Sequence, residues 1–154
     1  MERPMSTIEQ SVDVAVPVRT AYDQWTQFEE FPQFMEGVER VTQSDDTHLH
    51  WVVEFGGASR EWDAEITEQI PDERVAWTSR EGTHNAGAVT FHQLDDTTTR
   101  VMLQLDVEPE GLVEQAGDKL GFIRRRVTGD LQRFKDFIEA RGHETGAWRG
   151  EVRR

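Results

Sequence analysis

Cysteine is missing from all 154 residues. That absence excludes disulfides, thiol nucleophiles and thiolate metal sites, and it fits a reducing compartment. Long apolar runs are missing as well, since none approaches the roughly 20 residues that span a bilayer. The first residues, Met1-Glu2-Arg3-Pro4-Met5, lack the apolar centre of a signal peptide, so the expected location is the cytoplasm and residues 1–5 are expected to be a disordered end. Positive charge is scarce over most of the chain. Residues 1–123 hold 8 Lys+Arg against 25 Asp+Glu and residues 124–154 hold 9 against 5, which divides the net −13 into about −17 and +4. An acidic body repels phosphate backbones, so nucleic acid is not an expected partner. The basic triplet Arg124-Arg125-Arg126 offers a contact for an anion, but reads first as a solvated helix face paired with the chain's own carboxylates.

What the chain does contain is a strong helical period near its end. Val113, Ala116, Leu120, Ile123, Val127, Leu131, Phe134 and Ile138 recur at steps of three or four and share one helix face. Pro109 and Glu110 suit a helix start, and Lys135 and Arg141 before Gly142 suit a helix end. The spacing predicts one long amphipathic helix over residues 110–141, with Gly117 and Gly121 marking a place for a break or kink. Such a helix needs an apolar surface to lie on. The preceding residues supply it as strands.

Ile8, Val12, Val14 and Val16 alternate with polar residues, Gln10 interrupting the apolar side. Pro17 then starts a short helix over residues 18–27. Residues 28–35 crowd three Phe and a Met around Pro32, which reads either as a second short helix closing the core or as the lid or wall of a pocket. Six further strands follow, carried by Val38 to Gln43, Leu49 to Phe55, Trp62 to Ile70, Val75 to Trp77, Gly87 to Phe91 and Val101 to Val107. Short turns at Ser44-Asp45-Asp46, Gly56-Gly57, Pro71-Asp72-Glu73, Glu81-Gly82 and Asp95-Asp96 separate them. Seven strands joined this way predict an antiparallel sheet of neighbouring hairpins. The fold class is α+β: a curved seven-stranded antiparallel sheet wrapped around one long C-terminal helix, with two short helices after the first strand.

Val16-Pro17-Val18-Arg19-Thr20-Ala21-Tyr22-Asp23-Gln24-Trp25 with Phe31-Pro32-Gln33-Phe34-Met35, and Ile66 through Trp77, resemble the START-like superfamily of polyketide cyclases/dehydrases and lipid-transfer proteins. Gly87 to Phe91, Thr99-Arg100-Val101 and Pro109-Glu110-Gly111 fit as well, and the resemblance covers residues 6–141. It implies a helix-grip fold with an apolar cavity between sheet and helix. Members of the superfamily bind lipids, quinones, hormones or polyketides, and only some are enzymes, so the fold does not choose among them.

The expected pocket is bounded by Phe34, Met35, Trp51, Trp62, Trp77, Phe91, Leu103, Leu105, Leu120 and Ile123. Val53, Phe55 and Ile66 share the same inward faces. No catalytic constellation is legible. His48, His50 and His92 fall opposite the apolar set, no helical His-x-x-x-His pair or Gly-x-Ser-x-Gly occurs, and Asp63 and Glu65 read as solvated neighbours. Neither a metal nor a cofactor is expected. The cyclases of this superfamily place arginine, tyrosine and tryptophan in the cavity. Here only the indole N–H groups and Tyr22 offer protons from the inward set, and Arg100 lies on the opposite face. The expected function is binding of a small hydrophobic molecule such as a lipid, isoprenoid or polyketide-like compound. The alternatives are a polyketide cyclase/dehydratase in the same cavity, or an interaction module with a filled core. Exposed sheet edges allow a homodimer. Residues 142–154 form a polar tail without periodicity, with Trp148 as its large apolar group; it reads as a frayed end whose removal leaves the fold intact, or as a segment docking on the acidic body or on a partner subunit.

Overall fold

A computed structural model describes residues 5–55, 57–113 and 117–153. Seven strands, β1 (Ser6–Val14), β2 (Val38–Asp45), β3 (His48–Phe55), β4 (Ala58–Ile70), β5 (Arg74–Gly82), β6 (Asn85–Asp95) and β7 (Thr98–Val107), form one antiparallel sheet. Its order is β1-β7-β6-β5-β4-β3-β2, so consecutive hairpins run from β2 to β7 and β1 returns to pair with β7. Helix α1 (Val18–Trp25) and a 3-10 turn (Phe28–Gln33) link the two edges. Register shifts between Asp63 and Ala64 and between Ile66 and Glu68 place bulges in β4, which sharpen the bend of the sheet.

The concave face holds the long helix α3 (Lys119–Arg141), completing an α+β helix-grip architecture. Ile123, Val127, Leu131, Phe134 and Ile138 are its buried residues, spaced as the sequence requires. The expected single helix over residues 110–141 is corrected to two, the second starting between Gly117 and Gly121, where the break or kink is expected. A one-turn helix α2 (Pro109–Leu112) comes first, and α3 begins anew at Lys119. The cause is local: the Asp118 carboxylate accepts the Gly121 N–H at 2.9 Å, an N-cap that starts a helix there. Val113 is buried just beyond α2. Ala116, the remaining member of the expected stripe, lies outside the described residues, as do residues 1–4, Gly56 and Arg154. Gly142, with φ +75°, ends α3 in the left-handed conformation, its N–H bonding the Ile138 carbonyl.

An aromatic cluster locks α1 and the 3-10 turn onto α3. Trp25 meets Phe134 edge-on at 5.1 Å between ring centres, Phe34 meets Phe134 at 5.3 Å, and Phe31 meets Trp25 at 5.2 Å. In the same C-terminal half of α3, Lys135 Nζ donates to the Asp13 carbonyl at 2.9 Å and Glu139 accepts the Ala15 N–H at 2.8 Å.

The tail lies along α1 and the β4–β5 turn. Arg149 pairs with the buried Asp23 carboxylate, and its other nitrogen reaches Asp72 at 2.8 Å. The Gln24 side chain exchanges hydrogen bonds with Thr145, the Trp148 N–H bonds the Thr26 hydroxyl, and Val152 makes a two-way backbone bridge to Gln69. Burial pushes the Asp23 carboxyl up, while the Arg149 guanidinium opposes that shift. Losing Arg149 leaves a buried carboxylate with only the mostly exposed Arg19 beside it. Deleting residues 143–154 is therefore expected to preserve a cooperative transition but lower Tm by roughly 5 °C. Arg149→Ala alone should reproduce most of that loss in thermal melts followed by circular dichroism.

Candidate ligand cavity

Between the sheet and α3 the core is not filled. A cavity of about 150 Å³ remains, bordered by β3, β4, β5 and β7 below and by α3 above. Its floor is built by register. Trp51 and Trp62 are direct cross-strand partners on β3 and β4, and their indoles stack at 5.7 Å with 15° between planes. Trp77 on β5 faces Gly87 on β6. A Cβ at Gly87 would stand 2.9 Å from the Trp77 ring and press on the Gln104 carbonyl, so the bare backbone lets the indole lie close against the neighbouring strand. The Trp77 N–H is then fixed by the Asn85 side-chain oxygen at 3.1 Å. Among the described residues, the buried Trp51 and Trp62 N–H groups have no hydrogen-bond partner.

Of the ten residues expected to bound the pocket, Met35, Trp51, Trp62, Trp77, Leu103, Leu105 and Ile123 border this cavity. Phe34, Phe91 and Leu120 do not, and the expectation is corrected for them. Phe34 is spent in the aromatic cluster against Trp25, Phe31, Phe134 and Phe137. Phe91 packs on Tyr22 at 5.4 Å and on Trp25. Leu120 is half-buried in the first turn of α3, packed against the core.

Arg126 and Asp130 also border the cavity, which overturns the reading of Arg126 as part of a solvated face. The arginine side chain is only 15% exposed. Its guanidinium lies 4.7 Å from the Phe55 ring centre and 5.4 Å from that of Phe122, while Nη1 donates to the Glu36 carbonyl at 2.9 Å. Asp130 accepts the Glu36 N–H at 3.0 Å and pairs with Arg133. Burial pushes the Asp130 carboxyl up, against the lowering effects of the Arg133 guanidinium and the Glu36 amide. Helical spacing carried the signal for both: Arg126 and Asp130 stand three and seven residues after Ile123, on the apolar stripe. Tyr22 is fully buried, and burial pushes its phenol up to about 12.

Residues 14–136 match the family of polyketide cyclase / dehydrase and lipid transport. The chain belongs to this family. An uncharacterised 17.2 kDa protein of Streptomyces lincolnensis is 62% identical over 149 residues, covering 96% of this chain and 99% of that one. A Deinococcus radiodurans protein of known structure is 26% identical with a TM-score of 0.68, over 88% of this chain and 98% of that one. The Zhui aromatase/cyclase of a Streptomyces species superposes with a TM-score of 0.73 over 94% of this chain and all of that one, at 19% identity. That last likeness is one of fold.

The titratable groups outside the cavity form separate clusters. Arg100 pairs with Asp13 on the outer face, and Arg80 pairs with Glu65 at 2.8 Å. His50 sits between Asp63 at 2.6 Å and Glu61 at 2.9 Å, and these two carboxylates raise its pKa above the usual 6.5. Among the described residues no group of three or more His, Asp or Glu side chains could hold a metal ion.

Two outcomes follow from these positions. Phe134 is fully buried and does not border the cavity, so Phe134→Ala should cost about 3–5 kcal/mol in urea unfolding. Trp77 is half-buried beside existing empty space, and Trp77→Ala should cost clearly less than Phe134→Ala in the same experiment. The charge clamp on His50 stabilises the fold fully below its unfolded pKa of 6.5, and that stabilisation fades as pH rises through the raised folded value. Unfolding measured between about pH 6 and pH 9 should show this loss in the native protein and a flatter profile in His50→Gln.

Proposed function

We propose that the chain binds a small, mainly apolar molecule in the cavity between sheet and helix. The observation that carries this reading is the empty space itself, about 150 Å³ walled mainly by four tryptophans, three phenylalanines and aliphatic side chains in an otherwise close-packed core. An apolar space of about this size takes up a guest the size of benzene. A lipid, isoprenoid or polyketide-like ligand of greater bulk requires side chains around the cavity to move apart, since usual ligand pockets hold about 300–1,000 Å³. The family's description, polyketide cyclase / dehydrase and lipid transport, supports a hydrophobic guest.

A second reading, cyclase or dehydratase chemistry, gains support from Arg126 and Asp130. They give the cavity a cation and a carboxyl that holds its proton more tightly than usual, the pairing that carbonyl polarisation and proton transfer require. Identical product patterns from a nascent polyketide with and without the protein would discard it. The acidic body and the lack of cysteine support a cytoplasmic protein that does not engage nucleic acid. Among the described residues no helix is long and apolar enough to cross a membrane.

The binding reading is tested by titrating tryptophan fluorescence with fatty acids, quinones and small aromatic ketones. A saturable change is expected for at least one class. Leu105→Phe, which fills part of the space, should weaken that binding by about tenfold or more, equivalent to about 1.4 kcal/mol, while leaving the melting transition cooperative.

A further inference from the structure

One wall of the cavity is held in place by side chains of α3. Met35, Glu36, Val38 and Arg126 border the cavity and also border a more open depression of about 430 Å³ on the outside. These four residues therefore separate the two spaces. Elsewhere the cavity is bounded by paired strands, by the body of α3, by Leu112 of α2 and by the packed rings of Trp25, Phe28 and Phe31. At this wall residues 35–38 are tied to β3 by the backbone, the Glu54 N–H donating to the Gly37 carbonyl at 2.7 Å, while three side chains join residues 34–36 to α3. Asp130 accepts the Glu36 N–H at 3.0 Å, Arg133 Nε donates to the Phe34 carbonyl at 3.0 Å, and Arg126 donates to the Glu36 carbonyl at 2.9 Å.

Arg126 is the one of these three that faces both spaces. Its Nε lies 3.9 Å from the exposed Glu36 carboxylate, too far for a hydrogen bond, so the carbonyl contact and the two phenyl faces are what hold the guanidinium inward. Gly37 leaves room for it. Its φ is +84°, and a Cβ there would stand 2.5 Å from Arg126 Nη1 while pressing on the Glu54 carbonyl. A guanidinium that swings outward regains water and exchanges one carbonyl for the carboxylates of Glu39 and Glu54, which line the depression.

We propose that Arg126 is the gate of the cavity: a guest passes between α3 and residues 35–38 when this side chain leaves the Glu36 carbonyl for the outer depression. The inference rests on the ligand-binding reading above. A gate alters how fast a guest arrives and leaves, and alters both rates by the same factor.

The test uses the full chain and 1-naphthol as probe, with stopped-flow tryptophan fluorescence. Arg126→Met keeps an unbranched stem over Phe55 and Phe122 and removes the guanidinium. Association and dissociation should both quicken by about tenfold or more, with Kd changed less than about twofold. Arg126→Lys, which keeps a cation near the carbonyl, should fall between that variant and the native protein. Acrylamide quenching of the ligand-free protein should increase in Arg126→Met. A faster dissociation with unchanged association would make Arg126 a contact to the guest and overturn the gate. So would unchanged rates. If 1-naphthol does not bind the native protein, the quenching arm decides alone: greater access in Arg126→Met at an unchanged circular dichroism spectrum supports the gate, and equal access overturns it.

Discussion

The structure depends on burying one stripe of α3 in the bend of the sheet. Ile123, Val127, Leu131, Phe134 and Ile138 are nearly without solvent contact, and every other element serves to cover them. At roughly 1.5–3 kcal/mol for each large apolar side chain, this stripe outweighs any single polar contact in the molecule. The bulges of β4 provide the bend, and α1 with the 3-10 turn closes one end through Trp25, Phe31 and Phe34. The cavity lies where that closure stops. Phe134 is enclosed by rings, whereas Ile123 and Val127, about two to three turns earlier, face the space above the tryptophans.

The strands were legible because alternation survives in them. Leu49, Trp51, Val53 and Phe55 read as one face, and β3 contains them; the cross-strand pairing of Trp51 with Trp62 follows from the short turn between the strands. Helix α3 was legible over its buried stripe but not at its start. Val113 continues the helical period although its own backbone is extended, and an Asp118 cap followed by Gly121 is a weaker signal than eight apolar residues in step. Periodicity reports which face is buried. It does not report whether the backbone between two buried residues is helical.

The candidate site was less legible, for a different reason. Seven of ten expected lining residues border the cavity because sheet faces and helix faces are set by period alone. Phe34 and Phe91 show the limit of that reasoning: both point inward, and both are used up by neighbouring rings that sequence order does not bring together. Arg126 failed in the opposite direction. A basic triplet reads as surface, yet its third member falls on the stripe and shelters its charge against two phenyl faces and a carbonyl. The tail likewise contains no period, and its order comes from ion pairs, hydrogen bonds to Gln24 and Thr26 and a bridge to Gln69 rather than from an apolar face.

Gly87 carries a consequence for how such chains diversify. The residue does not border the cavity, yet the hydrogen atom in place of its side chain sets how deeply the Trp77 indole sinks into the sheet, and with it the headroom beneath α3. Adding one methyl there would tilt the ring upward and make the chamber shallower without altering any residue that borders it. Chamber depth in this architecture can therefore be inherited through a position one layer behind the visible surface, where a comparison of lining residues alone would find two chambers identical.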